Sequence, residues 1–179
     1  MRWIAVFAPI FLMSHAVLAK DVIADASLFT VKISSAIDYP FGQERKGTGR
    51  GSGFLVDRER GWILTNAHVV GKSPSTLKVS FKNHPYMKAE KVYLDNHLDI
   101  AVIKVDPGRI PQESMNAIMQ CRDDLRPGEA VIAFGHPWNL DYTATRGIVS
   151  GTTVADGVEA LQTDAALTPP IHDGAASAV

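Results

Sequence analysis

From residue 29 to residue 163 the chain alternates short apolar runs with clusters of glycine, proline, asparagine and aspartate. Runs of this length, bounded by turn formers, are the pattern of a mostly β protein. Nine strands are predicted: Phe29–Ile33, Gly53–Val56, Trp62–Thr65, Thr76–Phe81, Lys88–Leu94, Ile100–Val105, Ala130–Phe134, Thr143–Ser150 and Glu159–Gln162. Between the second and third, Asp57-Arg58-Glu59-Arg60-Gly61 reads as a charged hairpin turn ending in glycine. Ala67–Val70 is expected to form one helical turn and Ser114–Gln120 a second short helix. Gly47, Gly49, Gly51 and Gly53 alternate, but no phosphate-cradling helix follows them, so they read as a flexible loop entering a strand. The proline-rich, polar stretch Asp106–Asp124 reads as a link between two β subdomains, residues 20–105 and 125–179. Many short strands favour closed barrels, which leave few open edges.

Composition narrows this picture without redirecting it. A chain of 179 residues favours one domain, and 46% hydrophobic residues suffice for a core. The net charge of −1 points to neither nucleic acid nor an anionic membrane surface. At the N-terminus, Arg2, the apolar run from Ile4 to Leu12 and the small-x-small signal Ala16-Val17-Leu18-Ala19 predict a cleaved leader over residues 1–19. That run falls short of the roughly 20 residues a spanning helix needs. The expected location is therefore periplasmic or secreted. Cys121 is the only cysteine, so no internal disulfide can form, which suits a bacterial periplasm. With no glycine-rich turn around it, Cys121 reads as a bystander, not a nucleophile.

The candidate chemistry begins where Gly51-Ser52-Gly53-Phe54-Leu55-Val56 and Trp62-Ile63-Leu64-Thr65 lead into Asn66-Ala67-His68-Val69-Val70. A titratable ring at the end of a buried strand, beside a small alanine, suits a positioned general base. Leu98-Asp99-Ile100-Ala101-Val102-Ile103 then opens a strand with a carboxylate. His84, His97 and His136 show no ligand spacing and read as solvated loop residues, so neither a metal nor another cofactor is expected.

These segments, with Ala133-Phe134-Gly135-His136-Pro137-Trp138, Thr145-Arg146-Gly147-Ile148-Val149-Ser150-Gly151 and Leu161-Gln162-Thr163-Asp164-Ala165-Ala166, resemble the trypsin-like serine proteases of the HtrA/Deg group. The resemblance runs from about Gly51 to Ala166. It implies an all-β, two-barrel chymotrypsin fold over residues 20–179, with His68 as general base and Asp99 as the acid that orients it. It also implies unfolded or misfolded exported proteins as substrates, and a homotrimer as the assembly usual in the group.

The third member of the triad departs from the pattern. Where the family carries Asn-Pro-Gly-Asn-Ser-Gly-Gly, this chain has Thr168-Pro169-Pro170-Ile171-His172-Asp173-Gly174. In ungapped alignment His172 stands where the nucleophilic serine belongs, and Pro170 where a glycine N–H would face the oxyanion. Proline has no N–H, and one lost oxyanion donor costs on the order of 100- to 1000-fold in turnover. Ser177, the only serine beyond Gly151, has no flanking glycines and is not expected to substitute. In the family it resembles, the residue six before the nucleophile forms the floor of the primary specificity pocket; counted from His172 this is uncharged Ala166, which implies a small apolar substrate residue. The second barrel is expected to be incomplete at Val179, as in a truncated or frameshifted product. Three functions stand at this point: a serine endopeptidase, an inactive pseudoprotease or holdase, and an exported β-sandwich module with a coincidental His and Asp. The ordered motifs argue against the last.

Overall fold

The computed structural model describes residues 16–120, 125–136, 142–155 and 157–166. A helix, α1 (Ala16–Phe29), leads into β1 (Thr30–Ile37), β2 (Gly47–Asp57), β3 (Trp62–Thr65), the one-turn helix α2 (Ala67–Val70), β4 (Ser75–Ser80), β5 (Met87–Asp95) and β6 (Ile100–Val105). After a 3₁₀ turn at Pro107–Arg109 come β7 (Ala130–Gly135), β8 (Thr143–Ala155) and β9 (Val158–Thr163). The first six strands close into an antiparallel barrel in the order β1-β2-β3-β6-β5-β4, and the last three form a separate sheet, β7-β8-β9. All nine predicted strands are present, and the fold is all-β with one complete barrel and a partial second one. Among the described residues no helix is long and apolar enough to cross a membrane.

The barrel closes because inward positions are apolar and large. Val31, Ile33, Leu55, Ile63, Val79 and Ile103 are essentially inaccessible to solvent, and burial of each such side chain contributes about 1.5–3 kcal/mol. The β2–β3 hairpin pairs Phe54 with Leu64 and Leu55 with Ile63, then shifts register before Asp57, a bulge that feeds the charged turn. Gly61 ends that turn at φ +70°, where a Cβ would lie 2.2 Å from the Val105 carbonyl oxygen, so only glycine fits.

Four expectations are corrected. The alternating glycines are not a flexible loop but the first half of β2: a Cβ at Gly51 would meet Val69 at 2.6 Å, and one at Gly53 the Leu64 oxygen at 2.8 Å. At Gly51 and Gly53 glycine is required because neighbours pack directly on the strand. Residues 114–120 are not helical. Ala117 N–H donates to the Leu55 carbonyl (2.7 Å), and the Arg58 guanidinium donates to the carbonyls of Ile110, Pro111 and Ser114, so the barrel itself holds this segment and meets the Ala117 N–H and Ser114 carbonyl that a helix would have paired internally. Ahead of β1, α1 was not anticipated; its Ala26 and Ser27 are buried, and Lys82 Nζ donates to Ser27 Oγ (2.8 Å). Finally, His136 is buried, so of the three histidines only His84 and His97 are the solvent-facing loop residues expected; His84 Nε2 pairs there with Glu113 (2.8 Å). Residues 1–15 of the predicted leader, and Cys121, lie outside the described residues.

Candidate active site

Asp99 is the organiser of the site. It sits in the β5–β6 turn at φ +53°, a left-handed conformation uncommon for a residue with a side chain. From there its main chain and side chain both reach α2. The Asp99 carbonyl accepts from Ala67 N–H (3.1 Å) and from the Asn66 side-chain amide (3.2 Å). Its carboxylate accepts from His68 N–H through one oxygen (2.9 Å) and pairs with His68 Nδ1 through the other (2.7 Å). The strand β3 delivers Thr65-Asn66 to this point, and the pairing of Thr65 with Ala101 in β6 sets the two segments side by side. Thus the two residues singled out in the sequence, 31 positions apart, are brought into direct contact.

The chemistry follows from this arrangement. With Nδ1 held by Asp99, Nε2 is the nitrogen available to take a proton from a nucleophile, and the carboxylate stabilises the imidazolium that results. Both side chains are accessible, His68 at 56% and Asp99 at 39%, so a substrate can reach the ring. Ala166, the expected pocket floor, is exposed; its carbonyl accepts from Thr145 Oγ1 (2.9 Å), and the preceding Asp164 carboxylate accepts from Ile148 N–H (2.6 Å). Pro170, His172 and Ser177 lie outside the described residues. Among the described residues no three His, Cys, Asp or Glu side chains cluster as a metal site.

Three further residues support the site and were not singled out. Asn66 braces the Asp99 carbonyl. Ser52 Oγ accepts from His136 N–H (2.9 Å), tying the end of β7 to the strand beneath α2. Thr65 Oγ1 in turn donates to the Ser52 carbonyl (2.7 Å). Asn66 was visible inside the Thr-Asn-Ala-His motif; the Ser52–His136 link, spanning 84 positions, had no local signal.

Comparison with known proteins agrees with the geometry. The family model described as trypsin-like peptidase domain matches residues 51–175. The chain is 35% identical over 140 residues to "Putative serine protease HhoB" of Synechocystis sp., covering 74% of this chain and 32% of that protein. It is 39% identical over 131 residues to a protein named "Probable periplasmic serine endoprotease DegP-like" from Halomonas elongata (71% and 26% covered). Against serine protease HTRA1A of Danio rerio the figure is 37% over 133 residues (74% and 26% covered). The chain therefore spans a third or less of the length of these relatives. Among solved structures, the serine endoprotease from Yersinia pestis superposes with a TM-score of 0.57 at 28% identity, covering 74% of this chain and 44% of that one. The HtrA-type protease AlgW with tripeptide superposes at 0.62 and 23% identity (74% and 40% covered), a likeness of fold. With a closed first barrel, a family match over residues 51–175 and relatives at 35–39% identity, the chain belongs to the trypsin-like peptidase family, in its HtrA group.

Proposed function

We propose that this site serves peptide-bond hydrolysis as a serine-type endopeptidase acting on unfolded, exported polypeptides. The observation that carries the reading is the 2.7 Å contact between His68 Nδ1 and Asp99, which leaves Nε2 for general-base work. His68 would deprotonate the nucleophile, Asp99 would hold the ring and stabilise its charge, and Ala166 would line a pocket for a small apolar side chain. Relatives named as periplasmic endoproteases support export to the periplasm, and loss of a leader over residues 1–19 belongs to the same reading. Assembly as a homotrimer, over a protease domain of residues 20–179, belongs to the same reading.

A second reading rests on a specific observation, the segment Thr168-Pro169-Pro170-Ile171-His172-Asp173-Gly174. An imidazole at the nucleophile's register forms no ordinary acyl enzyme, and Pro170 lacks the oxyanion N–H. On that reading the chain is a pseudoprotease that binds unfolded segments without cutting them. Labelling the purified chain with a fluorophosphonate separates the two. Covalent labelling that disappears in His68→Ala is the endopeptidase outcome. No labelling, with retained binding of a reduced, unfolded protein, is the pseudoprotease outcome and overturns the first reading.

A further inference from the structure

A one-turn helix does not hold itself, because nucleation is unfavourable and few internal hydrogen bonds form to offset it. The direction of His68 therefore depends on what grips α2 from outside. Asp99 grips its N-terminal end, as described above. The C-terminal end is gripped by a second set of residues with no part in the dyad.

The Val70 carbonyl accepts from the hydroxyls of Ser75 (2.9 Å) and Ser35 (3.3 Å). Gly71 then turns the chain at φ +72° and ψ 161°. Beyond it, the N–H groups of Lys72 and Ser73 both donate to the Glu44 carboxylate, at 2.6 and 2.8 Å, and the Ser73 hydroxyl donates to the same carboxylate. The carbonyls of Gly71 and Ser73 both accept from Lys91 Nζ, at 2.7 and 2.6 Å. Ser73 is fully buried, and its hydroxyl also accepts from Phe41 N–H (2.7 Å), which docks the β1–β2 connection on the turn. The Lys72 and Ser73 N–H groups and the Gly71 and Ser73 carbonyls are thus each met by a full charge of the matching sign, where neutral partners would have satisfied them.

The origin of the two charged residues gives this arrangement its consequence. Glu44 comes from the β1–β2 connection. Lys91 lies on β5, immediately before the register shift to Tyr93, and β5 runs on into the turn that carries Asp99. Lys91 therefore ties the far end of the His68 turn to the hairpin that presents the orienting acid. We propose that Glu44 and Lys91 are positioning residues, an ionic clamp that sets His68 against Asp99. The clamp rests on the proposed role of that pair. Burial alone would raise the Glu44 carboxyl, but the Ser73 hydroxyl, the two N–H groups and Lys91 together hold it below its ordinary value. Burial pushes Lys91 down, partly opposed by Glu44.

The test is NMR on the full chain with ¹⁵N in the histidine rings, which needs no turnover. In the unaltered chain His68 is expected as the Nδ1–H tautomer, with its proton protected by Asp99. Glu44→Gln and Lys91→Met each remove one charge and keep most of the shape. Both are expected to retain a dispersed amide spectrum while Nδ1 proton exchange accelerates by at least about tenfold, consistent with weakening of a charge-assisted hydrogen bond. Glu44→Asp, which keeps the charge on a shorter arm, is expected to restore part of the protection. Variants that melt earlier but leave the His68 signal unchanged would overturn the clamp, as would loss of fold in both, which would make the pair a fold determinant only. Absence of the Nδ1 signal before any substitution would overturn the dyad itself, and is thereby told apart from failure of the clamp.

Discussion

Asp99 combines an unfavourable backbone conformation with the hydrogen bonds that justify it. Asp99→Ala keeps the positive φ but loses the acceptor for the His68 N–H and ring, and is expected to lower unfolding stability by about 2–4 kcal/mol. Asp99→Gly loses the same bonds yet relieves the backbone, so it is expected to cost less. Urea denaturation of the two checks this, and the reverse order would remove the strain argument. Glu44 supplies a pH dependence with a definite sign. Its folded carboxyl is held below the ordinary value of 4.5, so the folded state binds fewer protons than the unfolded chain in that window. Its contribution is fully present above about pH 4.5 and is lost as pH falls through the lower, folded value. Glu44→Gln is expected to flatten that part of a stability–pH curve, while Asp57 and Asp95, also lowered, keep their own share of the acid loss. His68 and Asp99 were legible in the sequence because each sits in a local motif. Glu44, 28 and 29 positions from the N–H groups it accepts, was not: one carboxylate in a charged loop carries no mark of its partner.

Elements follow the same division. β3, β6 and α2 were read with their observed boundaries, because apolar alternation and the flanking turn residues are local signals. The β2 glycines and residues 114–120 were misread, because their conformation is decided by distant neighbours. Gly51 is expected to tolerate alanine poorly: Gly51→Ala forces a Cβ against Val69 and is expected to cost about 1–3 kcal/mol. Adding Val69→Ala should recover part of the loss, a coupling that a double-mutant cycle measures. If the two changes are simply additive, close packing is not why β2 carries glycine there. Arg58 looked like one charge of a turn, yet its guanidinium holds three carbonyls of the segment after β6. Arg58→Lys preserves the charge but not the planar fork. It is expected to lower the melting temperature and to raise amide exchange in residues 110–117, with little effect on β4 and β5.

At the scale of the molecule the two halves differ in how much apolar surface they bury. The contiguous core, from Val31 to Ile110, belongs to the barrel and the segment that follows it. In β8, β9 and the residues just after them, only Val149 and Ala165 are buried among the described hydrophobic residues, while Val154, Leu161 and Ile148 are exposed. Native-state hydrogen exchange is accordingly expected to show lower opening free energies for β8 and β9 than for β1, β2 and β4. Ser52→Ala should lower protection in β7 selectively, because the buried His136 N–H loses the acceptor that joins sheet to barrel. Equal protection across both halves would contradict this view.

The succession of strands along the chain, the hairpin at Asp57–Gly61 and the choice of His68 and Asp99 as candidate residues were determined by sequence alone, because alternation, turn chemistry and short motifs act over a few neighbouring residues. The tertiary structure decided what surrounds them: the glycine-lined approach of β2 to α2, the Arg58 staple and the Glu44–Lys91 grip on the turn behind His68. These depend on groups far apart in the chain, whose hydrogen bonds and packing become definite only when the barrel closes.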